Sequence, residues 1–197
     1  MARHWQLELN IPQIIMGEFR LHYFRSLNRR WDWGLSAGYR YKAWTPVDAA
    51  KDLDGFEWGN PYFLENKAQG FLAGASTKYR MGKKRRSFWQ SDLFVRYWEQ
   101  TEKSGDPGYT YYVNDRNQSV VTGIKQLLGR EWLLGNPNER YNLGFSAFVG
   151  GGVRISYNEY SIYRQVQSDV YAKNSYEWLF TPSVQLGACF FVQKKIR

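Results

Sequence analysis

The chain has 197 residues, a formal net charge of +9, a mean hydropathy of −0.61 and an aromatic content of 18%. No run of about 18 apolar residues exists, which excludes a transmembrane helix but not a membrane barrel, because barrel strands turn only alternate residues towards lipid. The single cysteine, Cys189, excludes an internal disulfide framework.

Eight segments alternate between apolar and polar residues with a period of two, as β-strands with two unlike faces do. The alternation is weaker in the fourth and sixth segments, and the facing of the sixth stays open. Pro12 and Pro182 fall inside predicted strands, so we expect a bulge or a frayed strand end at each. The predicted strands are 5–14, 17–27, 31–44, 68–81, 87–99, 118–130, 139–156 and 176–192.

The third segment shows the pattern most clearly. Its apolar set begins at Trp31 and ends at Tyr41, with smaller apolar residues between the aromatic ends. Its other set contains Asp32, Arg40 and Lys42 together with Gly and Ser. A strand whose apolar face crosses a bilayer places its rings at the two interfaces in this way.

The connections between strands are predicted to alternate in length. Short turns on one side and long loops on the other are typical of outer-membrane barrels, and an even strand number places both termini on the short-turn, periplasmic side. The connections at 27–30 and 81–86 are short and that at 129–140 is moderate, the long polar ones are 45–67, 100–117 and 157–175, and the first connection, near Met16-Gly17, is expected to be short.

Basic residues concentrate on the short-turn side, where only Glu131 and Glu139 oppose them. In a soluble protein the run Lys83–Arg86 could mark a nucleic-acid site. In a barrel it is a turn near anionic headgroups or a protein partner, so we expect no nucleic-acid partner. The basic rim consists of Arg29, Arg30, Lys83, Lys84, Arg85 and Arg86, and the same side adds Arg130, Arg140, Lys194, Lys195 and Arg197.

Two stretches resemble small outer-membrane barrels of the OmpA and OmpX type: Asn28 to Tyr41, where a turn precedes Leu-Ser-Ala-Gly-Tyr, and Gly123-Ile-Lys-Gln-Leu-Leu-Gly129. More closely, the chain looks like uncharacterised small barrels of the Bacteroides group. The resemblance implies an all-β fold, a transmembrane antiparallel up-and-down barrel of eight strands, with 1–197 as one domain in the bacterial outer membrane. Such barrels usually end in an aromatic assembly signal, whereas this chain continues after Phe190-Phe191 to Arg197.

The polar faces of the strands are expected to fill the lumen, because an eight-stranded barrel is just wide enough for side chains. Charges there must pair, since a lone ion in a low-dielectric site costs several kcal/mol. We therefore expect a polar plug of ion pairs rather than a narrow conducting path. The inner set also holds His22, Lys42, Arg80 and Arg154, and the plug itself is assigned to Glu8, Glu18, Arg20, Asp32, Arg40, Lys78, Asp92 and Arg96.

A lipid-A-modifying barrel enzyme is one alternative, in which a histidine activates a serine. His22 and Ser26 share a predicted face but lie about 13 Å apart along the strand. Metal ligation by the only two histidines, His4 and His22, is weaker still. The sequence therefore predicts no enzyme, no cofactor and no metal site.

A soluble calycin-like lipid carrier is the other alternative, with the apolar set pointing inwards around a ligand. Periodicity alone does not distinguish inside from outside. The aromatic ends of the third segment, the Gly and Ser residues of the charged set, and the alternating connections favour lipid on the outside. Aromatic residues in the predicted loops could form a binding surface or continue the outer aromatic girdle, and they include Phe56, Trp58, Tyr62 and Tyr111.

Taken together, these patterns predict a non-enzymatic outer-membrane barrel with a structural or adhesive role. It would be an accessory subunit of a larger cell-envelope complex or a surface-binding protein, in contact with outer-membrane lipid or lipopolysaccharide. The N-terminus, Met-Ala-Arg-His-Trp, has no apolar signal core, which an exported barrel requires. We therefore expect that the numbering begins at the mature chain or that the start is misplaced.

Overall fold

The computed structural model describes residues 3–10, 18–41, 63–83, 86–105, 111–134, 140–166 and 169–196. Eight antiparallel strands form a closed ring, in which each strand pairs with its neighbours in sequence and the last pairs with the first. This confirms the predicted all-β, up-and-down barrel. No helix in the described ranges is long and apolar enough to cross a membrane. The strands are β1 (Arg3–Asn10), β2 (Glu18–Ser26), β3 (Trp31–Arg40), β4 (Phe63–Met81), β5 (Ser87–Gly105), β6 (Tyr111–Leu134), β7 (Tyr141–Val166) and β8 (Asp169–Ile196).

The pairing between strands is staggered around the ring. Leu9 of β1 pairs with Phe190 of β8. Leu9 also pairs with Leu21 of β2. If the paired residues are followed from there through each strand to β7, the path reaches β8 at Phe180, ten residues from Phe190. With ordinary strand rise and spacing, this stagger tilts the strands by about 40° from the barrel axis.

Side chains alternate between the outside and the lumen along the strands. In β3, Leu35 faces outwards and is 52% exposed, whereas Asp32 faces the lumen and is 1% exposed. In β6, Ile124 is exposed on the outside and Lys125 is buried in the lumen, which settles the facing that the sequence leaves open. A soluble lipid carrier needs the opposite arrangement, so that alternative does not fit.

Strands β4 to β8 are longer than predicted, and the loop prediction is wrong for the residues that form strands, at 63–67, 100–105, 111–117, 157–166 and 169–175. β5 continues to Gly105 and β6 begins at Tyr111, while β7 and β8 pair as far as Val166 and Asp169. Polarity suggested loops there, but main-chain hydrogen bonds hold a ladder together without an apolar face. The Tyr, Ile and Val residues within these segments favour strands.

These longer strands continue beyond the ring as an open sheet. We use the name extended sheet for the parts of β4 to β8 that lie beyond the level of Arg40, the last residue of β3.

On the outer face of the extended sheet, the Arg116 guanidinium donates a hydrogen bond from Nε to Glu99 Oε1 at 2.7 Å. This bond and the charge of Glu99 raise the pKa of Arg116. The paired residues at its base are Arg40, Gly70, Trp98, Ser119, Asn158 and Glu177, and the sheet comprises 63–69, 99–105, 111–118, 159–166 and 169–176.

One edge of β8 has no strand partner among the described residues. β1 pairs with β8 from Cys189 to Ile196, and the rest of β8 pairs with β7 alone. The Lys195 N–H donates to the Arg140 carbonyl beside β7. Because alternate residues point their N–H groups to opposite sides, even-numbered β8 residues point theirs to the open edge, and the nitrogen of Pro182, which has no hydrogen, points the same way.

Pro182 therefore removes no donor from the ladder between β7 and β8. The pairing continues past it in unbroken register, so the expected bulge or frayed end is absent from this part of the described chain. Proline is tolerated at such a position because its nitrogen faces the unpaired side. Pro12 and the first connection, near Met16-Gly17, lie outside the described residues.

The short connections at the opposite end are held by local geometry. Asn28 Oδ1 accepts hydrogen bonds from the N–H groups of Arg30 at 2.8 Å and Trp31 at 3.0 Å, which forms the β2–β3 turn. Gly82 follows β4 with a φ of 73°, a conformation that favours glycine. The pairing of β1 with β8 brings both ends of the described chain to this side.

Candidate functional site

Two groups of charged side chains fill the lumen. The lower cluster lies towards the short turns and combines side chains from four strands. Its members approach each other across the barrel as well as between neighbouring strands, so they tie the wall together. They are Gln6, Glu8, Asp32, Lys78, Arg80 and Glu131.

Lys78 lies at the centre of the lower cluster and is completely buried. Its Nζ lies 2.5 Å from Glu8 Oε1 and 3.2 Å from Glu131 Oε1. The same ammonium is 4.0 Å from the ring centroid of Phe24 and 4.6 Å from that of Phe88. Two carboxylates and two aromatic faces therefore replace the water that this ion loses.

Arg80 connects the remaining members of the lower cluster. Its Nε donates to Asp32 Oδ2 at 2.7 Å, and its Nη2 donates to Gln6 Oε1 at 2.9 Å. Its Nη1 donates to Glu131 Oε2. The planar guanidinium thus engages three partners at once, which makes the lower cluster one connected network across the lumen.

The upper cluster lies towards the extended sheet and has an excess of positive charge. Arg96 Nη2 is 2.8 Å from Glu18 Oε2, and Arg20 Nη2 is 3.9 Å from Asp92 Oδ2. Among the described side chains of this cluster, five cations face two carboxylates. Its members are Glu18, Arg20, Arg40, Asp92, Arg96, Lys125 and Arg154.

Phenylalanine rings fill the rest of the lumen by lying over glycines of neighbouring strands. A Cβ atom at Gly34 would lie 2.5 Å from the Phe24 ring, and one at Gly187 would lie 2.5 Å from the Phe148 ring. Phe88 covers Gly129 in the same way. The glycines on the charged faces thus provide space for aromatic rings inside the barrel.

The space between the two clusters is almost closed. Glu8, Arg20 and His22 are among the residues lining a cavity of about 10 Å³ there. This volume is about that of a single water position. The packing therefore resembles a plug more than a water-filled path.

All eight residues assigned to the plug face the lumen in the structure. Glu8 pairs with Lys78, Glu18 with Arg96, and Arg20 with Asp92, as the distances above show. Asp32 pairs with Arg80, and the Arg40 guanidinium lies 4.9 Å from the Trp98 ring centroid. Lys42 lies outside the described residues.

Sequence reasoning missed Glu131 and Lys125. We counted Glu131 with the short-turn rim, but it is buried in the lower cluster, where it contacts Lys78 and Arg80. The alternation along β6 could have identified both residues, because Gly123, Lys125 and Glu131 all have odd numbers and therefore lie on the same face of the strand. The apolar Leu127 interrupts that polar set and hides the pattern.

The basic rim is described only in part. Arg29 and Arg30 lie in the β2–β3 turn, and Arg30 Nη1 donates to the Tyr79 hydroxyl at 3.0 Å. Lys83 and Arg86 are exposed at the β4–β5 turn. Tyr111 was predicted in a loop, which is wrong because it begins β6. Lys84, Arg85, Phe56, Trp58 and Tyr62 lie outside the described residues.

The histidines and serines considered for catalysis have other neighbours. The His22 ring stacks on Phe24 with centroids 6.0 Å apart. Ser26 Oγ donates to the His4 carbonyl at 3.1 Å and accepts from the His4 N–H at 2.8 Å. Within the described ranges, no three His, Cys, Asp or Glu side chains converge as a metal site requires.

These features define an eight-stranded antiparallel β-barrel with an apolar exterior and a charged interior. No protein-family model matches the sequence, and no curated protein matches it. Among solved structures, the chain is similar to a major outer membrane protein from Thermus thermophilus, with 9% identity and a TM-score of 0.37 over 99% of this chain and 98% of that one. It also has a weak likeness to a bacterial polysaccharide outer membrane secretin, with 9% identity and a TM-score of 0.16 over 100% of this chain and 98% of that one. Both likenesses are too distant to assign a function.

Proposed function

We propose that this chain is a transmembrane barrel of the bacterial outer membrane, of the OmpA and OmpX type. Within that membrane it serves as a non-enzymatic accessory subunit of a larger envelope complex. The observation that carries the proposal is the reversal of polarity: large apolar side chains cover the outside while ions fill the lumen. If water surrounded the barrel, the large apolar side chains on its outside would be exposed to water, which is energetically unfavourable.

Aromatic pairs bound this apolar exterior at both ends. The rings of Trp31 and Tyr79 lie 4.9 Å apart at one end, and those of Tyr39 and Phe71 lie 5.3 Å apart at the other. On a strand tilted by about 40°, the stretch from Trp31 to Tyr39 spans about 20 Å of height. Outer-membrane barrels carry an apolar band of about 25 Å between two aromatic girdles, so the dimensions support membrane insertion.

The two ends of the barrel support different contacts. At the short-turn end, Arg29, Arg30, Lys83 and Arg86 are exposed beside the proposed membrane surface. Each such cation gains about 1 kcal/mol near anionic headgroups. At the other end, the extended sheet rises beyond the apolar band, where it is accessible to a protein partner.

The open edge of β8 supports the accessory role. In 169–176, the even-numbered N–H groups point away from β7, and Tyr176 is largely exposed beside them. An extended segment of a partner protein can add to such an edge as a further strand. We assign this edge as the partner contact.

Cysteine labelling tests the membrane placement. In a Cys189→Ala background, Leu35→Cys should react with a lipophilic maleimide but not with a membrane-impermeant one. Lys83→Cys should react with both in opened vesicles. Equal reaction of Leu35→Cys with both reagents, or a protein that stays soluble without detergent and shows no heat-dependent gel migration, contradicts the proposal.

Proline substitution tests the partner contact. Asn174 and Pro182 both have even numbers, so their main-chain nitrogens both point to the open edge. Asn174→Pro therefore removes one N–H donor from that edge and keeps the hydrogen bonds between β8 and β7. We expect it to fold but to lose the proteins that cross-link to the wild type in native membranes, whereas Asn174→Ala keeps them. If both variants and the wild type capture the same proteins, the edge is not the contact; if none captures any, the accessory role fails.

A further inference from the structure

A cavity of about 300 Å³ lies in the upper half of the barrel and is lined by residues of β1, β5, β6, β7 and β8. Its lining includes the cations Arg96, Lys125 and Arg154 and the apolar side chains of Phe94 and Val121. Ligand sites typically combine a volume of about this size with apolar walls and a few polar groups.

The three cations come from adjacent strands at nearly the same level. Arg96 pairs with Val121 on β6, and Arg154 pairs with Gly123, two residues further along β6. Lys125 is two residues beyond Gly123 on β6, so its side chain lies on the same face of the strand. At Gly123 no side chain projects between them, and none would fit there, because a Cβ atom would lie 2.5 Å from the Val153 carbonyl oxygen and 3.0 Å from the Phe94 ring.

The cavity also reaches the outer surface of the barrel. Its lining includes Gln185, which faces inwards, and Val184 and Leu186, which face outwards and are 89% and 81% exposed. A single strand contributes both of its faces to a cavity only where the cavity passes around its edge. The edge concerned belongs to the part of β8 that pairs with β7 alone among the described residues.

The charge balance specifies the chemistry of a ligand. Even without Arg40, four described cations of the upper cluster face two carboxylates, and an anion would compensate that excess. Two buried polar atoms at the cavity, Arg96 Nε and Gln185 Oε1, have no hydrogen-bond partner in the structure. The outward apolar wall at Val184 and Leu186 suits an alkyl chain.

We infer that this cavity binds an anionic amphiphile. Its phosphate or carboxylate contacts Arg96, Lys125 and Arg154, and its alkyl chain leaves the barrel around the β8 edge over Val184 and Leu186. A membrane phospholipid and a free fatty acid share this chemistry. The inference rests on the proposed membrane placement, since the chain would enter from the bilayer.

The test is a titration of purified barrel in dodecyl maltoside, followed by native mass spectrometry. The probes are dodecyl phosphate for a phospholipid, dodecanoate for a fatty acid, dodecanol as a neutral analogue, and inorganic phosphate. We expect at least one anionic amphiphile to bind tenfold or more tightly than both dodecanol and inorganic phosphate. The stronger of the two identifies the source.

Matched variants locate the site. Lys125→Gln and Arg154→Gln should each weaken amphiphile binding about tenfold, and Arg154 is exposed enough for its replacement to leave the fold intact. Arg164→Gln, a cation of the extended sheet, should have no effect. Val184→Asn should weaken binding, whereas Leu143→Asn, an exposed apolar position near the short turns, should not.

Three outcomes overturn the inference: equal binding by the lumen variants and the wild type, equal binding of inorganic phosphate and dodecyl phosphate, or no binding. Labelling of Leu35→Cys reports membrane placement separately. A barrel that labels as membrane-embedded but binds no amphiphile refutes the inference alone. One that fails to label as embedded refutes the proposed location.

Discussion

Glu8 and Lys78 belong to β1 and β4, which are not neighbours in the ring, yet the Glu8 Oε1 and Lys78 Nζ atoms lie 2.5 Å apart. Their contact crosses the lumen, so it sets the distance between opposite walls of the barrel. Widening the barrel would separate two buried ions, which is costly in a low-dielectric interior.

The lower cluster should therefore contribute strongly to stability. Lys78→Met leaves Glu8 and Glu131 without their shared cation, and we expect a loss of about 3–5 kcal/mol in unfolding free energy. Urea titration in detergent, followed by tryptophan fluorescence, measures it. The double variant Lys78→Met/Glu8→Gln should recover part of the loss, because one uncompensated charge is removed.

An exposed ion pair provides the matched control for that measurement. Arg164 Nη2 lies 3.8 Å from Asp115 Oδ2 in the extended sheet, with both side chains accessible to solvent. Arg164→Gln should change stability by less than about 1 kcal/mol. Equal losses in Lys78→Met and Arg164→Gln would refute the structural role of the lower cluster.

The fit of rings over glycines can be tested at Gly34. A methyl group there would lie 2.5 Å from the Phe24 ring and 2.7 Å from the Tyr23 carbonyl. We expect Gly34→Ala to cost about 1–3 kcal/mol, as overpacking of a filled interior does. Thermal unfolding in detergent measures the effect.

Phe24→Leu should rescue Gly34→Ala only partly, because the backbone contact with the Tyr23 carbonyl remains. Gly151→Ala is the control, since its Cβ would lie 3.3 Å from the nearest atom, the Ser183 carbonyl. A Gly34→Ala barrel as stable as the wild type would show that the ring and the strand move apart easily.

The open edge of β8 predicts alternating amide exchange. Within 169–176, the odd-numbered N–H groups bond to β7 and should exchange slowly, while the even-numbered ones should exchange faster. Residue-resolved NMR of the detergent-solubilised barrel can distinguish the two sets. Uniform protection would mean that another strand covers the edge.

The packed lumen predicts that the wild-type barrel does not conduct ions. In planar bilayers we expect no stepwise currents, because the gap between the clusters holds about 10 Å³. Arg80→Ala removes a side chain that joins Asp32, Gln6 and Glu131, so small current steps should appear. Regular steps from the wild type would contradict the plug.

The period-two alternation predicted the strand number and the barrel. The inward position of residues such as Arg20 and Lys78 also needed the aromatic ends of the third segment, the Gly and Ser residues of the charged set and the connection lengths. The sequence prediction failed where a polar segment was interpreted as a loop, as at Tyr111. Main-chain hydrogen bonds hold such a strand in the sheet whether its side chains are polar or apolar. The prediction also failed for Glu131, whose partners Lys78 and Arg80 lie on β4. Such cross-lumen pairs depend on the stagger, which local sequence does not reveal.

The pairing of Arg3 with Ile196 has a consequence for the order of folding. The hairpins of β5 to β8 join neighbours in sequence, whereas the β1–β8 contact closes a loop of almost the whole chain at a greater entropic cost. Among the described residues, eight pairs form it. We therefore expect the meeting of the two chain ends to be the last event of folding, and until then β1 and β8 would each keep an unpaired edge.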